Sequence, residues 1–155
     1  MKYFKAHGVE DGEWYYFEID DDNVAYRQVT IIDDHCSVSI APDFQLSETE
    51  VEIFEGDEEI SAEAFGEVWT RAIEPYKPAW ERAKQCYSLH HSVAGAIAMF
   101  YPQGVIVKIE EDVYAIADFN EVRKSAKLEH LYPGYRITGT VKGYDENNFW
   151  LVLEQ

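Results

Sequence analysis

Apolar and polar residues alternate in short bursts at the start of the chain, switch to helical spacing in the middle, and return to alternation toward the end. Residues 1–9 alternate loosely and predict a first strand. Residues 14–19, WYYFEI, are rich in aromatic and β-branched side chains, which suit a pleated, half-buried surface. Turns by composition flank them at 10–13 and 20–23. Residues 24–32 set Ala25, Arg27 and Val29 against Tyr26, Gln28 and Thr30, the period of two that a strand requires. After Asp33 and Asp34, residues 36–40 give a further paired strand, so the start predicts an antiparallel meander. The stretch 42–57 is less regular, with Leu46, Val51, Ile53 and Phe54 expected in a short edge segment. Ser61 then has the chemistry of a helix N-cap. Ala64, Phe65, Val68, Trp69 and Ala72 recur at helical spacing up to Glu74-Pro75. Pro78 predicts a second helix over 79–87 as its first-turn proline.

The remaining pattern predicts five strands, at 89–100, 105–109, 113–119, 135–144 and 149–153. A loop or short helix is expected over 121–132. Gly95 and Gly104 suit a sharply coiled barrel strand, where a side chain would crowd the bend. Pro133-Gly134 marks a turn into the fourth strand, and residues 145–148 a hairpin turn into the fifth. The expectation is an α+β chain: an antiparallel meander with one or two helices over 1–86, then a small Greek-key barrel over 87–155. A chain of 155 residues can bury such cores without disulfide staples.

Charge changes the picture more than composition does. The formal net charge is -17. Residues 1–86 hold 21 acidic and 7 basic side chains, and residues 87–155 hold 9 and 6. Phosphate backbones bind by releasing counterions to Lys and Arg, so the first half is a poor nucleic-acid binder. A dense acidic surface instead steers basic protein partners toward it. Cys36 and Cys86 lie in no metal-ligand spacing, and two reduced thiols are the simpler reading than a disulfide. No signal peptide and no apolar run of membrane-spanning length are visible, so a soluble, cytoplasmic protein is expected.

Two resemblances add to this. The N-terminal Met-Lys-Tyr strand, the aromatic strand, the acidic turn, Tyr26-Arg27-Gln28-Val29 and the run from Glu59 to Trp69 resemble a family of small acidic bacterial domains of unknown function. Some of those relatives are suspected immunity-type proteins, which implies a protein partner. Gly95-Ala96-Ile97, Gly104-Val105-Ile106-Val107, the segment 115–120, Gly134-Tyr135-Arg136-Ile137 and the turn 145–148 resemble the S-one-type RNA-binding OB domain of bacterial ribosomal proteins. That resemblance implies an OB barrel that stacks single-stranded RNA on exposed aromatics. The chain departs from the family at the positions that do so. Gln103 and Ile106 stand where the family has aromatics, Asp118 where it has a histidine, and Phe149 where it has a basic residue.

The expected function is therefore a non-catalytic protein-binding module, of an inhibitor or immunity type, whose acidic face contacts a basic protein. The residues offered for that face are Asp20, Asp21, Asp22, Glu55, Asp57, Glu58 and Glu59. The alternative is single-stranded RNA binding by the barrel through Tyr101, Tyr114, Arg123, Lys124, Lys127, Arg136 and Lys142. No catalytic residues, cofactor or metal are expected. The histidines His90 and His91, read as strand neighbours, would point to opposite faces and cannot chelate one ion together. The acidic runs lack the twelve-residue calcium loop with its closing glutamate. Nucleophile elbow, phosphate loop and zincin helix are all missing.

Overall fold

A computed structural model describes residues Met1–Gln155. The chain divides into two compact units, Met1–Pro75 and Tyr76–Gln155. The helix after Pro75 therefore belongs with the barrel, and the division falls at Pro75 rather than at Cys86. The architecture is α+β, as the pattern predicts.

In the first unit, β1 (Lys2–His7), β2 (Glu13–Ile19), β3 (Ala25–Ile32), β4 (His35–Val38) and β5 (Glu58–Ile60) form an antiparallel sheet in the order β4-β3-β2-β1-β5. One sheet face carries Phe4, Ala6, Tyr15, Phe17 and Ile19, with Leu46, Val51 and Ile53 packed against them. The expected edge segment around 46–54 is thus a loop that covers this face, because Leu46, Val51 and Ile53 turn inward while Phe54 stays exposed. The edge strand is β5 instead. Gln28 ties the loop down from the buried face: its Oε1 accepts from Ser47 N at 2.7 Å and its Nε2 donates to Thr30 Oγ1 at 3.0 Å.

The helix α1 (Ala62–Ile73) packs on β1 to β4 with Phe65, Trp69 and Ile73 buried. Ser61 caps it, accepting from Ala64 N at 3.0 Å. That satisfies one of the orphan donors of the first turn.

The second unit opens with α2 (Lys77–Cys86), which has Pro78 in its first turn. Then come β6 (Ser92–Tyr101), β7 (Gly104–Glu110), β8 (Val113–Ala117), α3 (Phe119–Ser125), β9 (Arg136–Asp145) and β10 (Trp150–Glu154). The strands close in the order β10-β8-β7-β6-β9, with β10 parallel to β8 and the other pairs antiparallel. This is a closed five-stranded barrel consistent with an OB-like fold. Val105, Val107, Ala115, Ala117, Leu151 and Leu153 alternate into one core, which also takes Trp80 and Ala83 from α2 and Val122 from α3. Both cysteines are free. No helix is long and apolar enough to cross a membrane.

Gly95 is needed where β6 crosses β7. A β-carbon there would collide with the Lys108 carbonyl oxygen and lie 2.9 Å from Val107 Cγ1. A backbone atom cannot move aside as a side-chain tip can. Gly95→Ala is expected to cost about 1–3 kcal/mol through overpacking. A urea midpoint unchanged from wild type would contradict this.

Candidate functional site

The structure separates the candidate acidic residues into two places. Asp20 holds the β2–β3 turn, its Oδ1 accepting from Asp22 N and Val24 N, both at 2.9 Å. This is why a run of three aspartates sits there: one makes the turn, and Asp21 and Asp22 point to water. Asp57 does the same work before β5, accepting from Phe54 N at 2.9 Å, while Glu55, Glu58 and Glu59 are exposed. Ile19, which leads into the first turn, pairs with Lys2, whereas Glu58 pairs with Lys5. The two acidic turns therefore lie toward opposite ends of β1. They form no single patch.

Charge is divided more sharply than the sequence halves suggest. Met1–Pro75 contains 20 acidic and 4 basic residues, a net -16, whereas Tyr76–Gln155 contains 10 and 9, a net -1. Of the four cations in the first unit, Arg27 is already committed. Its Nε and Nη2 donate to Glu18 at 3.0 and 2.8 Å, and its guanidinium lies 5.0 Å from the Phe65 ring centroid and 5.2 Å from that of Trp69. Lys5 sits 4.5 Å over the Trp14 ring.

Each of the four departures from the RNA-binding pattern has a structural setting of its own. Ile106 alternates with the inward Val105 and Val107, yet is itself 0% exposed, so it offers nothing to a nucleotide. Asp118 caps α3, accepting from Glu121 N at 3.1 Å. Phe149 has φ 58° and stacks on Trp80 with centroids 5.6 Å apart. Gln103 is half-buried in the β6–β7 turn. Each is accounted for by packing, capping or a turn.

The candidate nucleic-acid residues are also only partly gathered. Arg123 and Lys124 lie in the last turn of α3, Lys127 just beyond it and Arg136 at the start of β9, all exposed. Lys142 is exposed on β9 but roughly 20 Å further along the strand. Tyr101 is largely buried, which pushes its phenol well above the ordinary range, and its ring meets Trp150 edge-on at 6.0 Å. Tyr114 is half-buried. Several ring pairs outside the predicted set involve the segments that carry these cations. His130 stacks on Tyr135 at 5.3 Å, Tyr132 lies 5.8 Å from Tyr135, and Phe100 meets Phe119 at 6.1 Å. Their only sequence signal is the pair of tyrosines flanking Pro133-Gly134.

His90 and His91 precede β6 rather than lying on it, with His90 at φ 72°. The expected strand geometry does not apply to them. No group of three or more His, Cys, Asp or Glu side chains is placed to hold a metal ion. The Cys36 thiol is pushed up by burial and by the nearby Asp43 carboxylate, so it stays protonated at neutral pH.

The chain thus carries an antiparallel α+β unit and a closed five-stranded, OB-like barrel. No protein family matches it, and no curated protein does either.

Proposed function

We propose that the protein is a non-catalytic binding module whose acidic first unit docks on a basic protein, in the manner of an inhibitor or immunity-type factor. One observation carries this reading: a net charge of -16 is concentrated in Met1–Pro75, whose Arg27 is already neutralised by Glu18. Such a field accelerates encounter with a cationic surface and repels other polyanions. The resemblance of the same residues to small acidic bacterial domains points the same way. The test is capture of proteins from a lysate by the full chain at about 0.05 M and about 0.5 M salt, which change the screening length severalfold. Strongly basic proteins are expected at low salt, with loss at high salt and with Glu55→Gln/Glu58→Gln/Glu59→Gln. Absence of any basic protein at either salt would remove the support for this reading.

A second reading is favoured by a specific observation. Arg123, Lys124, Lys127 and Arg136 are exposed on the same stretch as the His130, Tyr132 and Tyr135 rings. Cations interleaved with aromatics suit single-stranded RNA, as the S-one resemblance implies. Fluorescence anisotropy with a short oligouridylate is expected to give binding that Arg136→Ala weakens and whose salt slope falls by about 1. No binding at roughly 100 μM protein, weaker than ordinary non-specific association at physiological salt, would exclude it.

A further inference from the structure

A groove of about 410 Å³ opens in the first unit at the His7 end of β1. Its walls include the carboxylates Glu13, Glu50, Glu52 and Asp57, and no lysine or arginine lines it. Tyr15 and Phe17 also line it, their rings nearly parallel at 4° with centroids 6.1 Å apart. Two apolar side chains at the groove are left to solvent: Phe54 is 61% and Val9 100% exposed. The groove thus combines apolar and aromatic surface with four carboxylates.

Gly8 helps to build the groove. A β-carbon on Gly8 would collide with the Glu13 side chain, so the missing side chain leaves room for Glu13 to lie across the backbone. Gly8 N donates to Glu13 O at 2.8 Å, which fixes this approach. The Tyr15 hydroxyl, pushed up by burial and by Glu13, stays protonated and reaches Glu13 Oε2 at 3.5 Å.

We propose that this groove receives an arginine side chain presented by a basic protein partner. The proposal rests on the protein-binding reading above and names the contact within it. A planar guanidinium takes a carboxylate through two parallel hydrogen bonds and stacks on an aromatic face; an ammonium does neither as well. The same unit already holds its own Arg27 by this chemistry, with Glu18 on the fork and Phe65 and Trp69 at the guanidinium face. Glu13, Glu52 and the rings of Tyr15 and Phe54 offer the same kinds of group, carboxylates and aromatic faces, around an open space.

The test is an NMR titration of the full chain with N-acetyl-arginine methylamide at about 0.15 M salt, where distant charges are screened. Saturable shifts are expected at the amides of Gly8, Glu13, Glu52 and Phe54. Glu13→Gln/Glu52→Gln should weaken binding about tenfold, equivalent to about 1.4 kcal/mol. Phe54→Ala and Gly8→Ala should each weaken it about threefold, and the lysine analogue should bind about threefold more weakly than arginine. Asp21→Asn/Asp22→Asn removes the same charge at the other end of β1 and should leave the titration unchanged. Shifts spread equally over residues 20–22 and 33–34, or equal loss in the two charge-removal pairs, would mean a diffuse counterion atmosphere and overturn the groove. If that happens while basic proteins are still captured in a salt-sensitive way, the groove assignment fails alone. Loss of both results sinks the protein-binding reading as well.

Discussion

Trp80→Ala is expected to destabilise the barrel unit by about 3–5 kcal/mol, the range for removing a large buried aromatic. Trp80 is 3% exposed and belongs to the barrel core although it comes from α2. Its ring stacks on Phe149 at 5.6 Å and meets Tyr144 edge-on at 6.0 Å. Its indole Nε1 donates to Glu146 Oε2 at 2.8 Å, and Lys84 Nζ donates to Glu146 Oε1 at 2.8 Å. Truncation therefore opens a cavity and strips a partner from Glu146 together. Hydrogen exchange at the Val107 and Ala115 amides reports this unit alone, and a loss below about 1 kcal/mol would contradict the assignment of Trp80 to the core. Acid gives a second check. Partial burial raises the Glu146 carboxyl, but the Lys84 and Trp80 hydrogen bonds outweigh it, so the net position is below the usual 4.5. A group depressed in the folded state stabilises it above the unfolded pKa, and that contribution fades as pH falls through the folded value. The stability difference between wild type and Glu146→Gln should therefore shrink on acidification below about 4.5.

That clamp also shows where the sequence stops being informative. Local patterns settle local structure: the period-two strands, the Ser61 cap, the helical stripe through Phe65 and Trp69, and the hairpin at Asp145 all appear where the pattern puts them. Trp80 sits 66 residues from Glu146, and no periodicity says that α2 closes on the barrel rather than on the sheet before it. The departures at Ile106 and Asp118 were visible as residue types. Their reasons were not, because one depends on burial and the other on where α3 begins. The acidic residues were legible as composition only. Register decides that the turn at Asp20 and the turn at Asp57 lie toward opposite ends of β1, and register is a tertiary property. The groove was hidden for the same reason. Glu13 and Glu52 are far apart in sequence, and the loop over 42–57 brings them together by burying Val51 and Ile53.

Arg27→Ala is expected to cost the first unit about 3 kcal/mol, the lower end for breaking an ion pair withdrawn from water. The Arg27 and Glu18 side chains are only 15% and 12% exposed. Removing the guanidinium leaves Glu18 with the Tyr3 hydroxyl as its remaining partner and little access to solvent. It also takes a cation from the faces of Phe65 and Trp69, the side chains by which α1 docks on the sheet. Arg27→Lys keeps the charge but loses the two parallel hydrogen bonds and the planar face, so about half of the loss, about 1.5 kcal/mol, should remain. The decisive comparison is Arg27→Met/Glu18→Met. If the cost lies mainly in stranding a carboxylate, the double substitution should be more stable than Arg27→Ala, because no unpaired charge is left and the volume stays filled. If the cost lies mainly in the contact with the two rings, both should fall equally. The tight bidentate geometry and low exposure of the pair favour the first outcome, and urea midpoints of the three variants separate them.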